Sequence, residues 1–279
     1  MASKRPSRVW FSRRSAQSRG LIAWMPYVTG TTTLGVRDVV RGEMGPVQTG
    51  ALADACDPIM GPVVVLPGGT GAQTLPLPPF IATALNGRPA ASVSCWVRLD
   101  VATPVTDGKT GAPIRMGSAG SADHYPYTDG LAYLGIFRSA RVDGIILYSA
   151  AEGVDRTKWH LWTITTVAGG RWTFYQNAMF VTDLAAEATV AVDGTPDLNQ
   201  IGNSLNSYCL AGSVADVRFY NRALSQAEVQ ALYAPATRWD LYAQARRRSF
   251  GIVSADAAQM GRAMVNRLRP AIFSPGHAR

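Results

Sequence analysis

Residues 210–233, LAGSVADVRFYNRALSQAEVQALY, constrain this chain more than any other stretch, because their apolar period changes from that of a strand to that of a helix. Val214, Val217 and Phe219 interleave with Ala215, Asp216 and Arg218, as in an alternating strand. After Tyr220-Asn221-Arg222 the spacing becomes helical. Ser225 and Glu228 form an S-x-x-E capping box, in which the serine hydroxyl accepts the backbone N–H three residues on and the glutamate reaches back. Leu224 before the cap and Val229 at the fourth helical position are spaced for a hydrophobic staple. Val229, Leu232 and Tyr233 make one apolar face, and Pro235 stops the helix. The expectation is a closing strand followed by a short docked helix, with Ser225 and Glu228 in a structural role.

The rest of the body reads as short strands. Gly20–Met25, Val63–Leu66 between two prolines, Leu131–Phe137 and Gly144–Tyr148 read as strands, and Gln73–Leu75 returns the chain after the glycine turn. Ser92–Leu99 alternates with Val93, Cys95, Val97 and Leu99 on one face, after a turn at Asn86-Gly87. In residues 159–165, Trp159, Leu161, Thr163 and Thr165 share one face, and His160, Trp162 and Ile164 the other. Gly169-Gly170 then returns the chain through Arg171–Tyr175, and Asn177-Ala178 turns it again into Met179–Val181. About a dozen strands and a single well-signalled helix predict an all-β chain, an antiparallel β-sandwich. The glycine cluster at 68–71 lacks the spacing of a phosphate loop, and the proline-rich LPLPPF follows it where a helix should begin.

Charge divides the chain where periodicity does not. The net charge is +8, yet residues 1–19 hold Lys4, Arg5, Arg8, Arg13, Arg14 and Arg19 with no acid. Residues 238–279 hold eight arginines against Asp240 and Asp256, so the body between them is slightly acidic. Three organisational units are expected: a basic N-terminal arm over 1–19, a sandwich over 20–234 and an Arg-rich tail over 235–279. In the arm, Val9-Trp10-Phe11 is an apolar island among arginines, the composition of a docking segment rather than of a solubilising tail. The candidate docking residues are Arg5, Arg8, Trp10, Phe11, Arg13, Arg14, Trp239, Arg246, Arg247 and Arg248. Residues 255–268 are a candidate amphipathic helix with Met260, Met264, Val265 and Leu268 on one face. The basic start has no apolar secretory region behind it, and no run approaches the roughly 20 apolar residues of a membrane helix. Membrane insertion is therefore not expected. Three cysteines (Cys56, Cys95, Cys209) form no disulfide framework, and with the three histidines they show no zinc-ligand spacing.

Several of these segments are similar to one family. Gly20-Leu21-Ile22-Ala23-Trp24 resembles the opening strand of laminin-G-like members of the concanavalin A-like jelly-roll superfamily, with Arg37-Asp38 at its next loop. Ser92–Leu99 resembles the central strand, and Trp159–Thr163, Gly170–Tyr175 and Asn177 resemble the paired hairpins, with Ala178 where the family prefers glycine. Residues 212–225 resemble its closing motif. The resemblance covers roughly 20–234. Beyond it, Arg238–Tyr242 and Arg246–Arg248 look like tails that follow this domain in tailed-bacteriophage virion proteins.

The resemblance raises chemistry that the residues then weigh. Glycoside hydrolysis needs two carboxylates about 5–10 Å apart, but the four glutamates (43, 152, 187 and 228) show no alternation that would pair them, and Glu228 is already a cap. No catalytic residues are assigned, and the protein is expected not to be an enzyme. The superfamily also implies Ca²⁺ held in loops; Asp38, Asp107, Asp123 and Asp129 are loop acids, read as ordinary solvated turn residues, so calcium is left without a site and no other cofactor is expected. Sugar binding is implied without a location, with Trp24, Tyr125, Tyr127 and Trp172 as candidate platforms that could equally be core.

The expectation for function is a non-enzymatic structural protein of a tailed-phage virion: a capsid decoration, head-fibre, neck or tail accessory protein assembled in the host cytoplasm. Its basic ends would dock it to capsid, neck or tail subunits as a homo-oligomer. The N-terminal arm could touch DNA nonspecifically, and the sandwich could meet host-surface glycans. The alternative is a secreted or cell-surface carbohydrate-binding module.

Overall fold

The described residues of the computed structural model form fifteen strands and two α-helices, and the largest sheet is organised around the strand that the period change marks. The described residues are 11–26, 35–46, 52–68, 75–100, 113–116, 131–133, 147–149, 155, 157–168, 171–185, 199–204 and 208–242. In chain order the elements are β1 (Leu21–Met25), β2 (Ala53–Asp57), β3 (Gly61–Pro67), β4 (Leu75–Pro76), α1 (Phe80–Leu85) and β5 (Ala90–Leu99). Next come β6 (Ile114–Met116), β7 (Leu131–Tyr133), β8 (Leu147–Ser149), β9 (His160–Val167), β10 (Arg171–Gln176) and β11 (Met179–Ala185). The last are β12 (Asn199–Ile201), β13 (Asn203–Ser204), β14 (Tyr208–Cys209), β15 (Ala211–Tyr220) and α2 (Gln226–Tyr233).

One antiparallel sheet runs β11-β10-β9-β5-β15-β3-β2, with β1 also on β15. A smaller sheet, β4-β12-β6, stands apart from it. β15 is the hub. Its first half, residues 211–214, pairs with β3 on one side, and its second half, residues 217–220, pairs with β1. β5 runs along its other edge, with the register broken between Ala215 and Arg218. Asp216 sits in that break at φ 51°, a left-handed conformation that aspartate tolerates better than most residues. The bulge explains the uneven spacing of Val214, Val217 and Phe219, which all face the inner core despite the extra residue.

The inner core lies between the two sheets. Val93, Cys95, Val97, Val214, Val217, Phe219 and Ile164 of the large sheet meet Leu75, Ile114, Met116 and Ile201 of the small one. Ile81 and Leu85 of α1 join that cluster. The sequence marked only one helix in the body; α1 is a second, and it starts directly after Pro79 in the proline-rich stretch that argued against a helix. Proline lacks an N–H and has a fixed φ, so it belongs at a helix start, and the reading treated it as a breaker where it acts as an initiator.

The outer face of the large sheet is buried too, and this is why β15 is buried along nearly its whole length rather than on one side. Trp24, Trp96, Leu161, Ala215 and Tyr220 pack against Leu224, Val229 and Leu232 of the closing unit and against Leu241 and Tyr242. The expected capping box is present: Ser225 Oγ accepts the Glu228 N–H (3.3 Å) and Glu228 accepts the Ser225 N–H (2.9 Å). Leu224 and Val229, the staple pair, are both in this outer cluster. Glu228 also takes both terminal nitrogens of Arg222, at 2.7 and 2.8 Å.

Those bonds predict an acid response. The Arg222 guanidinium, with the Ser225 donors, holds the Glu228 carboxyl at about 2 against its ordinary 4.5. A carboxyl depressed by folding contributes stability that is present above pH 4.5 and lost as pH falls toward 2. Glu228→Gln is therefore expected to flatten the loss of stability on the acid side, measured as denaturant midpoints across that range.

The chain divides into two units, residues 1–243 and 244–279. Arg246, Arg247, Arg248 and the expected helix over 255–268 lie outside the described residues. Among those described, no helix is long and apolar enough to cross a membrane.

Candidate functional site

Two polar centres stand on the outer face of the large sheet. The first is built on Arg218 and Asp216, whose side chains are 2% and 1% exposed. Arg218 Nη2 donates to Asp216 Oδ2 at 2.7 Å and to the Arg238 carbonyl at 3.0 Å, and Nη1 donates to Gln17 Oε1 at 2.8 Å. Asp216 Oδ1 accepts the Trp24 indole N–H at 2.7 Å and the Tyr242 hydroxyl at 3.4 Å. Burial by itself would lower the Arg218 pKa, but the Asp216 carboxylate beside it more than compensates and the net shift is upward. The Arg218 guanidinium therefore stays charged although buried, because an acid and two carbonyl oxygens accept its N–H groups.

This centre holds both ends of the described body. Gln17 sits in a 3₁₀ turn (Ala16–Ser18) capped by Ser15, and its amide nitrogen donates to the carbonyls of Thr237 (2.7 Å) and Ala231 (3.2 Å). Phe11 forms a β-bridge with Tyr242, and the Ser12 N–H donates to the Leu241 carbonyl at 2.8 Å. Aromatic rings complete the contact: Phe11 lies 5.9 Å from Trp24, Trp24 is 4.7 Å edge-on to Tyr242, and Trp239 is 5.4 Å edge-on to Tyr242. Arg238 spreads over the rings of Trp96 and Trp239. Gly20, at φ 70°, turns the chain into β1; a Cβ there would meet Arg222 and Asn221 at 2.9 Å.

Phe11 and Trp239, chosen from sequence as anchors for a partner, are thus brought together on the chain's own sheet. Arg13 and Arg14 are exposed beside them. Arg5, Arg8 and Trp10 lie outside the described residues. Of the candidate sugar platforms, Trp24 is fully buried and is core. Trp172 contributes backbone pairing within β10, and Tyr125 and Tyr127 are not among the described residues. The reading of loop aspartates as solvated is corrected at Asp38. It is fully buried, and its carboxylate accepts the backbone N–H groups of Trp24, Val40 and Arg41 at 2.7–3.1 Å. That folds the loop after β1 rather than presenting a free carboxylate to an ion. Asp107, Asp123 and Asp129 are outside the described residues, among which no group of three or more His, Cys, Asp or Glu could hold a metal.

The second centre was not legible as a site from sequence. Asp57, at the β2–β3 turn, accepts the N–H groups of Ile59 (2.8 Å) and Met60 (2.9 Å), Arg98 Nη1 (2.9 Å) and the Trp159 indole N–H (2.9 Å). Burial raises the Asp57 pKa, but these donors outweigh it and hold the carboxyl below its usual range. The Arg98 guanidinium lies 5.2 Å from the Trp159 ring centre and its side chain is 30% exposed. A cross-strand row of short side chains, Ala53, Val65 and Ser213, leads up to Arg98 at this end of the face. A partly open ring beside a guanidinium at the end of such a row offers stacking and hydrogen bonding to a flat polar ligand. The signal available in sequence was the position of Arg98 on the same strand face as Trp96, away from the core set.

A laminin-G-type family model, described as the concanavalin A-like lectin/glucanases superfamily, matches residues 68–230. The chain belongs to this superfamily. No curated protein matches the chain. Among solved structures, the superfamily fold here is similar to the binding domain of botulinum neurotoxin DC in complex with rat synaptotagmin II, with 14% identity, a TM-score of 0.52, and 78% of this chain and 52% of that one covered. It is similar to the same toxin's binding domain in complex with SialylT, at 14% identity and a TM-score of 0.52, covering 77% and 51%. It also matches domain 4 of a GH43 extracellular arabinanase from Geobacillus stearothermophilus in complex with arabinotriose, at 18% identity and a TM-score of 0.49, covering 77% and 98%. The chain spans about half the length of the toxin domains. At these identities the likeness is one of fold.

Proposed function

We propose that this chain is a non-enzymatic structural protein of a tailed-bacteriophage virion, a laminin-G-like sandwich attached to the particle through its basic ends. The observation that carries this reading is the junction of Phe11 with Tyr242. It brings together the points at which residues 1–10, with Lys4, Arg5 and Arg8, and residues 243–279, with seven arginines against Asp256, join the body. Basic segments starting from one spot act as one multivalent anchor toward an acidic subunit surface, because engaging the first raises the effective concentration of the second. Capsid, neck or tail subunits are the partners in this reading, several copies assemble on the particle, and contact with packaged DNA is nonspecific. Glu228, with both carboxylate oxygens committed to Arg222 and Ser225, supports a body without hydrolytic chemistry.

The test removes residues 1–10 and 243–279 and leaves Phe11 through Tyr242. Particles assembled with this variant are expected to lose the protein while the purified sandwich keeps the unfolding temperature of the full chain. Full incorporation of the trimmed protein would overturn the reading.

A second reading, a carbohydrate-binding module, is favoured by the Trp159–Arg98–Asp57 centre. One solved structure of similar fold is a toxin binding domain in complex with SialylT. On a glycan array the full chain would then bind a saccharide, and Trp159→Ala would weaken that binding by about tenfold, equivalent to about 1.4 kcal/mol of ring contact. An array with no bound saccharide would exclude this reading and leave the first intact.

A further inference from the structure

Within the outer layer, five buried side-chain atoms have no hydrogen-bond partner: Ser94 Oγ, Trp96 Nε1, Thr163 Oγ1, Arg218 Nε and Tyr220 OH. They are not scattered. Thr163 of β9 pairs directly with Ser94 of β5, and Ser94 pairs directly with Arg218 of β15. Trp96 is the next residue of β5 on that face, beside Ala215, and Tyr220 is the next on β15, opposite Ser92. Direct cross-strand neighbours stand about 4.5–5.5 Å apart and diagonal ones about 7–8 Å, so the five groups occupy one patch on three central strands. The Tyr220 phenol lies close enough to the Arg218 guanidinium for a loose hydrogen bond as well as for its charge to act, although no well-formed bond joins the two.

Their chemistry is uneven. Arg218 Nε and Trp96 Nε1 can only donate, whereas the three hydroxyls both donate and accept. Elsewhere on this face the fold satisfies its hydroxyls. Ser92 Oγ donates to the Arg222 carbonyl at 2.8 Å and accepts the Leu224 N–H at 2.9 Å, because the turn after β15 comes within reach. Among the described residues, no turn hydrogen-bonds Ser94 Oγ or Thr163 Oγ1. Buried polar groups in native proteins are nearly always paired, with protein or with ordered water.

We infer that ordered water is a built-in component of this patch, bridging Ser94, Thr163, Trp96, Tyr220 and the Arg218 guanidinium. Two features select water over any larger guest. The five atoms are sealed from solvent beneath the outer layer, and an interior water typically makes about three hydrogen bonds to groups of mixed donor and acceptor character. A bridging water accepts from Arg218 and Trp96 and donates to the hydroxyls, which extends the hydrogen-bonded centre from β15 across β5 to β9.

Near-isosteric removal of the hydroxyls gives opposite signs for a wet and a dry patch. With water present, Thr163→Val and Ser94→Ala each strip a bridging water of a partner, and the thermal midpoint of the full chain falls by a few degrees. In a dry patch, Thr163→Val removes an unpaired buried hydroxyl and the midpoint holds or rises. A high-resolution crystal structure of the unsubstituted chain is expected to carry ordered water within hydrogen-bond distance of Ser94 Oγ and Thr163 Oγ1. Should the variants not fold, oxygen-17 relaxation dispersion on the unsubstituted chain counts long-lived internal water directly. A raised midpoint, direct hydrogen bonding between the two hydroxyls, or no internal water in the crystal would overturn the inference.

Discussion

Arg218→Met is expected to be among the most damaging single substitutions in this chain, costing about 3–5 kcal/mol, the usual effect of breaking a buried ion pair from one side. The methionine fills much of the volume, so the loss is not mainly one of packing. What remains is Asp216, 1% exposed and without its cation, together with a Gln17 oxygen and an Arg238 carbonyl that no longer accept a hydrogen bond from Arg218. Asp216→Asn on the same background separates charge from shape. Asparagine accepts the left-handed backbone at this bulge and still offers an oxygen to the Trp24 indole. The double variant is therefore expected to regain a large part of the lost stability, and the coupling in a double-mutant cycle by denaturant unfolding measures the pair. If Arg218→Met costs no more than the roughly 0.5 kcal/mol of an ordinary surface substitution, then the guanidinium is not what holds the outer layer.

The sequence carried local rules well and partnerships poorly. The strand–helix closing unit, its Ser225–Glu228 box and the face assignments of Leu161 and Ile164 depend only on nearby residues, and capping and alternation reveal them. The β-sandwich followed from those elements together, and the superfamily from the resemblance of their motifs. The outer layer did not. Arg218 interleaves with apolar residues as a solvent-facing side would, and nothing within ten residues of it discloses Gln17, which is 201 positions away. Asp57, Arg98 and Trp159 are likewise separated by long stretches of chain and meet only once the sheet is assembled. Phe11 and Trp239 were singled out by composition as anchors for a partner, but composition cannot say what an aromatic side chain rests on; both pack on this chain's own Trp24 and Tyr242 cluster. Asp38 illustrates the opposite error, since a loop position suggested solvent and three backbone N–H groups took the carboxylate instead.

Removing residues 1–19 is expected to loosen the segment after α2 although the two are far apart in sequence. Gln17 alone ties three points: it accepts from Arg218 and donates to the carbonyls of Ala231 and Thr237. A lost hydrogen bond to a buried charged group costs about 1.5–3 kcal/mol. Each kcal/mol lowers the midpoint of a body this size by about 2–4 °C, so a drop of several degrees is expected before the Phe11 contacts are counted. The local signature is sharper than the global one. In hydrogen exchange, the amides of Arg238, Asp240 and Tyr242, which close the turns after α2, should lose protection while those of β5 and β9 keep theirs. Gln17→Ala separates this mechanism from a loss of charge, because it leaves every arginine of the arm in place. If the arm acts by charge, Gln17→Ala will be silent and the exchange pattern unchanged. If it acts as the third ligand of a buried guanidinium, Gln17→Ala will reproduce most of the truncation, and the N-terminal segment from Phe11 onward belongs to the folded sandwich rather than to the docking arm.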